Sequence, residues 1–219
     1  MSKVEHLLFD CDGVLVDTEF TAAIKMTQTL NNLGVDLSVD YYLQNLSGTT
    51  FSSIVHRYFN NSLPEFEVLQ IIHKVEDEVA AEVKLIEGVT DLLIGLPMSK
   101  SVVSNSSVRT VEHALDTTGI KRYFSSKIFS SELVKQPKPA PDIYQLAINS
   151  LGYKAAEIIV VEDSISGAKA ALSAGLRVIG FVGASHIQPG HGQRLLDLGV
   201  SQIAGSMIEL QTILASSDS

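Results

Sequence analysis

The chain is poor in several features that mark common functions. Its 219 residues contain one cysteine, Cys11. No intrachain disulfide can form, which fits a reducing compartment, so a cytoplasmic location is expected. There is no Lys/Arg-rich segment, and the net charge is -9. Nucleic acid is therefore not an expected partner, since neutralising its phosphates supplies most of such affinity. No apolar run approaches the roughly 20 residues that cross a bilayer, so no membrane partner is expected. The opening Met-Ser-Lys-Val-Glu lacks the form of a secretion signal, because its apolar stretch is short and acids follow at once. No internal repeat or low-complexity segment is evident. With 45% hydrophobic residues the chain can bury a real core, as one domain or one plus an insertion. A monomer or weak dimer is expected.

What is present is an ordered alternation. A short apolar run over residues 4–9 predicts a first strand, ending in Asp10-Cys11-Asp12-Gly13. Residues 18–85 contain no convincing strand. Helical spacing there makes Phe20, Ile24, Thr27 and Leu30 one inward face, with Gly34 as the stop. Ser38 reads as an N-cap. Val68, Ile72, Val75, Val79 and Val83 form the apolar stripe of a long helix, with acids on the other side. After Gly88 the pattern changes. Strands are predicted at 100–103, 127–129, 158–161 and 177–181, with helices between them and a final helix, strand and helix. Asp142 reads as a helix cap. Such alternation means a parallel sheet wrapped by helices. The expected organisation is an α/β core of residues 1–17 and 86–219, with an all-helical unit, 18–85, inserted after the first strand.

The ends of these strands carry the chemistry. Ligands of open α/β sheets bind at the carboxyl ends of the strands. Two carboxylates there, Asp10 and Asp12, form a dense negative site that a hard cation such as magnesium would neutralise. Cys11 lies between them and on a strand would point to the opposite face, so it reads as a small buried residue rather than a nucleophile. The strand at 100–103 delivers Ser104 and Asn105, a hydroxyl and N–H groups suited to an anion. Lys138, held between prolines, can neutralise phosphate as a point charge. The strand at 158–161 delivers Glu162 and Asp163. Four carboxylates against one lysine make sense around a divalent cation. Each member alone also has a bland reading as a turn, a cap or a solvated lysine; it is the ordered set that argues for a site.

At this point DCDGVLVDTE, VVSNSS, KPAPDIY and VVEDSISGAKAALSAG resemble the four motifs of the haloacid dehalogenase-like hydrolases. The chain is most similar to the branch of sugar phosphatases and β-phosphoglucomutase-like enzymes, with a helical cap after the first motif. The resemblance implies a Rossmann-like α/β core and a magnesium-dependent phosphatase acting on a small phosphate ester. It implies Asp10 as nucleophile forming an aspartyl-phosphate, and Asp12 as general acid and base. It implies Mg2+ on Asp10, the main-chain carbonyl of Asp12, and Asp163. Glu162 would support the metal's water shell or Lys138. Ser104 and Lys138 would hold the phosphoryl group, with Asn105 nearby.

Several alternatives can be weighed on the same residues. Asp12 argues for phosphoryl transfer over dehalogenation, which does not need it. A phosphosugar mutase of this branch carries a cap histidine and a cap arginine. Ala22 and Phe51 stand near those positions and can grip no second phosphate, which favours hydrolysis. A phosphonatase would use a cap lysine, and nothing singles out Lys25, Lys74 or Lys84. A non-catalytic binding protein on the same fold is disfavoured, because Asp10, Asp12, Lys138 and Asp163 are all present. Glu19, Gly48, Thr49 and Thr50 are the candidates to touch the leaving group, by analogy with the family, and an ordinary helix start is an equal reading of the last three. Phosphogluconate, hexose phosphates and phosphoglycolate are the substrates considered. The six histidines show no ligand spacing; His186 and His191 lie in a loop that could approach the site, with a surface or capping role preferred.

Overall fold

The computed structural model describes residues 3–59, 62–124 and 127–216. Six strands form one parallel sheet: β1 (His6–Phe9), β2 (Ser99–Ser104), β3 (Ile128–Ser130), β4 (Ile158–Glu162), β5 (Arg177–Phe181) and β6 (Gln202–Ala204). Their order is β3-β2-β1-β4-β5-β6. The predicted parallel α/β sheet is borne out. Every residue of β1 and β4 is buried, as expected for near-continuous apolar runs covered on both faces.

The two-residue period of the strands sorts their side chains into two cores. Leu7, Phe9, Val102 and Val161 face one side, against α5 (Val89–Gly95), α6 (Val108–Thr117) and α10 (Met207–Ser216). Leu8, Val103 and Val160 face the other, against α7 (Asp142–Leu151), α8 (Ile165–Ser173) and α9 (His191–Leu198). Asp142 is the first helical residue rather than the cap; Pro141 holds the cap position, so the carboxylate of Asp142 complements the helix dipole instead.

Between β1 and β2 run α1 (Glu19–Asn32), α2 (Val39–Asn45), α3 (Phe51–Phe59) and α4 (Glu65–Ala80). They share a third core that includes Met26, Leu30, Tyr42, Ile54, Val68 and Val75. Ser38 caps α2 as expected, its hydroxyl accepting from the Tyr41 N–H at 3.2 Å. The inward face of α1 matches the predicted one only in part: Thr27 and Leu30 are buried as expected. Phe20 is 45% exposed, and the buried face is Ala22, Ala23, Met26, Thr27, Thr29 and Leu30. Large apolar residues dominated the periodicity, whereas the small alanines are what pack inside. The acids of α4 do not all face outward either: Glu76 is only 8% exposed. The chain leaves and rejoins the sheet side by side. The Asp17 N–H donates to the Lys84 carbonyl at 2.9 Å, and the Ile86 N–H to that of Leu15 at 3.1 Å.

Candidate active site

β1 lies between β2 and β4, so the loops after these three strands converge at one edge. The strand order reverses there, which is where open α/β sheets hold ligands. Asp10 follows β1, Ser104 ends β2, and Glu162 and Asp163 end β4; all four are buried. Lys138 comes from the segment before α7 and is buried among them.

Lys138 is the centre of the arrangement. Its ammonium donates to Asp10 Oδ1 at 3.1 Å, to the Val103 carbonyl at 2.9 Å and to Glu162 Oε1 at 2.6 Å. An ammonium has three donors, and all three are used. Burial alone would lower its pKa, but Asp10 and Glu162 outweigh that and hold it well above the usual lysine value. Glu162 is equally committed. Oε1 also accepts from the Tyr144 hydroxyl at 3.1 Å, and Oε2 from the Ser164 N–H and hydroxyl at 3.1 and 3.0 Å. Asp10 Oδ1 takes the Cys11 N–H at 2.8 Å besides Lys138. Burial, then repulsion from Glu162, pushes the pKa values of both Asp10 and Asp163 well above normal.

Asp12 is held by two hydroxyls. Thr18 donates to Oδ1 at 2.5 Å and Ser106 to Oδ2 at 2.8 Å. Sequence reasoning assigned neither. Asp163 is held by two histidines. His186 is buried, with Nε2 3.1 Å from Asp163 Oδ2. His191 Nε2 lies 2.5 Å from the main-chain carbonyl of Asp163. The tautomer of His191 follows from Arg194, which reaches its Nδ1 at 3.0 Å and can only donate; Nε2 therefore carries the proton given to Asp163. The surface or capping role preferred for His186 is corrected: it packs against the site.

A divalent cation fits this donor set. Oxygens of Asp10, Glu162 and Asp163 come within 4.8 Å of one another, all buried. Three carboxylates against one lysine leave net negative charge in a low dielectric, and hard oxygens suit magnesium. The Asp12 carboxylate is outside this group, so its expected contribution rests on the main-chain carbonyl alone.

A profile of the haloacid dehalogenase-like hydrolases matches residues 7–181. The chain belongs to that family. Among its relatives is the 6-phosphogluconate phosphatase of Escherichia coli, 27% identical over 86% of this chain and 87% of that protein. A haloacid dehalogenase-like protein of unknown function from Agrobacterium tumefaciens is 33% identical, with a TM-score of 0.82 over 97% of this chain and 98% of that one. CbbY of Rhodobacter sphaeroides, solved in complex with xylulose-(1,5)-bisphosphate, is 25% identical with a TM-score of 0.76, covering 94% of this chain and 96% of that one.

This haloacid dehalogenase-like hydrolase has a cavity of about 230 Å³ over the carboxylates. Its floor includes Asp10, Asp12, Ser104, Asn105 and Lys138. Its other wall comes from the helices between β1 and β2, including Glu19, Ala22, Gly48, Thr49, Thr50, Phe51, His73 and Glu76. Asn105 ties wall to floor: its amide donates to the Gly48 carbonyl at 3.1 Å and the Lys138 carbonyl at 3.2 Å. The hydroxyl of Thr49 donates to the Leu46 carbonyl at 2.5 Å, and that of Thr50 accepts from the Ser53 N–H at 3.1 Å. Thr49 thus closes the end of α2 and Thr50 opens α3, and both also line the cavity. Burial pushes the Glu19 pKa up to about 7, against a lowering influence from His186. Lys25 pairs with Glu82 at 3.1 Å, and neither Lys74 nor Lys84 lines this cavity. The lysine that does is Lys138.

Proposed function

We propose that the protein is a magnesium-dependent phosphatase for a small phosphate ester of sugar-phosphate type. The observation that carries this reading is Asp10, which sits at the cavity floor with Oδ1 fixed by Lys138 and the Cys11 N–H. Its other oxygen is left to attack phosphorus. The bond from phosphorus to the leaving oxygen breaks as the aspartyl-phosphate forms, and Asp12 gives its proton to that oxygen. A water then attacks the phosphoryl group, Asp12 takes its proton, and Asp10 and inorganic phosphate are released. The hydroxyls of Thr18 and Ser106 keep the Asp12 carboxyl in one orientation through both steps.

Asp10, the Asp12 carbonyl and Asp163 would hold the cation, with Glu162 fixing Lys138 beside them. The bound cation would screen the repulsion between the nucleophile and the phosphate dianion. Lys138 adds a second positive charge, and Ser104 and Asn105 line the same floor. Residues 18–85 act as a cap that keeps bulk water from the site, over a core of 1–17 and 86–219. Hydrolysis is favoured over phosphosugar mutation because Ala22 and Phe51 line the cavity where a mutase needs polar groups.

The test is phosphate release from a panel of sugar phosphates and small organic phosphates, with magnesium or EDTA, for wild type and Asp10→Asn. Release that needs magnesium and vanishes in the variant supports the reading. Turnover surviving in Asp10→Asn overturns it.

A further inference from the structure

We propose that the helical wall of the cavity selects a neutral, hydroxyl-bearing leaving group, and that Glu76 on α4 is the residue that makes the selection. This rests on the phosphatase reading of the site. Among the described residues, the cavity lining holds no arginine and no lysine but Lys138. That ammonium belongs to the floor, with its three donors on Asp10, Val103 and Glu162. The wall facing it presents two carboxylates, Glu19 and Glu76. A second phosphate or a carboxylate on the leaving group would meet those acids with no cation to pair with, and like-charge juxtaposition is an effective device for rejecting a ligand.

The geometry around Glu76 turns the same charge toward hydroxyls. Arg109 on α6 lies 3.4 Å from Oε2 of Glu76 and also binds Asp77 at 3.1 Å. Arg109 does not line the cavity, and its side chain is 59% exposed. It therefore grips Glu76 from the outside and is not offered to a ligand. The Thr110 hydroxyl, which also lines the cavity, donates to Glu76 as well; a carboxylate accepts about four hydrogen bonds, so these two donors leave part of its acceptor capacity unfilled. Sugar and polyol hydroxyls are donors that fill it. A carboxylate or phosphate has none to give. His73, on the same wall, can serve a neutral hydroxyl as donor or acceptor.

Sorbitol 6-phosphate and 6-phosphogluconate form a matched pair, differing at the end remote from phosphorus by CH2OH against carboxylate. Both would be assayed with magnesium at pH 8, beside glucose 1,6-bisphosphate and p-nitrophenyl phosphate. The expected kcat/KM for sorbitol 6-phosphate exceeds that for 6-phosphogluconate by about 30-fold or more. Glu76→Gln should narrow the ratio to within about fivefold, chiefly through KM, and Glu76→Asp should restore discrimination. A merely structural role would lower both substrates together and leave the ratio unmoved, which overturns the assignment. So does a wild-type preference for 6-phosphogluconate or the bisphosphate, or turnover of p-nitrophenyl phosphate with neither six-carbon monophosphate accepted. No hydrolysis of any ester, p-nitrophenyl phosphate included, removes the phosphatase reading and this proposal with it.

Discussion

The His186 imidazole and the Asp163 carboxylate meet at 3.1 Å, both buried. One carboxylate oxygen is thereby held by the imidazole, and the same carboxylate lies in the cluster with Asp10 and Glu162. Partners that orient a metal ligand in this way typically contribute 10–100-fold to metal affinity. His186→Ala is expected to weaken Mn2+ binding by about that factor while the fold survives. Titration by electron paramagnetic resonance measures it, and unchanged affinity would count against the arrangement.

Lys138 compensates two buried acids at once. Lys138→Met leaves Asp10 and Glu162 facing each other without a cation. A loss of about 3–5 kcal/mol in urea denaturation is expected, together with loss of phosphate release. Adding Glu162→Gln should recover part of the stability and none of the activity. A single variant as stable as wild type would refute this account.

Gly167 gives a prediction opposite in sign to helix propensity. It lies in α8, where alanine ordinarily gains about 1 kcal/mol over glycine. A Cβ at this position would collide with the Glu162 carboxylate, which is fixed by Lys138, Tyr144 and Ser164. Gly167→Ala is therefore expected to destabilise the protein and to reduce turnover by displacing Lys138. Thermal melting and phosphate release measure the two effects.

His6 sets a pH dependence away from the site. Burial, then the charge of Lys100, lowers its pKa to about 4. The folded state keeps the ring neutral, with Nε2 3.0 Å from the Ser101 hydroxyl. Between pH 6.5 and 4 the unfolded chain binds more protons, so stability falls as pH falls through that window. The full effect is about 3.5 kcal/mol at roughly 1.4 kcal/mol per pKa unit. Burial lowers His186 and His191 as well, with the same sign. His6→Gln should flatten the slope of denaturation midpoint against pH between 7 and 5; an unchanged slope would exclude His6 as its source.

What could be read in the sequence was set by chain direction. Asp10, Ser104 and Asp163 each end or follow an apolar strand, and parallel strands bring such ends together without further information. Lys138 was legible from its flanking prolines. His186 was not, because the path of the loop after β5 is fixed by packing and not by any local period. Thr18 and Ser106 were missed because a hydroxyl that orients a carboxylate looks like any other hydroxyl in a turn. Glu76 fell among the acids opposite the apolar stripe of α4. Periodicity separates apolar from polar positions on α4, but it cannot separate water from a polar cavity, and α4 lies against α6 and the cavity on that side. The face of α1 was right at Thr27 and Leu30 and missed Ala22 and Ala23, which contribute little hydropathy and pack closely.

The hydrogen bond between Asp17 and Lys84 has a consequence for ancestry and for engineering. It closes a long excursion of the chain at a single point beside β1. A segment whose two ends meet can be removed or replaced without redirecting the polypeptide that hosts it. Recombination at this joint could graft a different helical unit onto the same sheet and, on the function proposed above, renew the choice of substrate while the phosphorus chemistry is inherited intact.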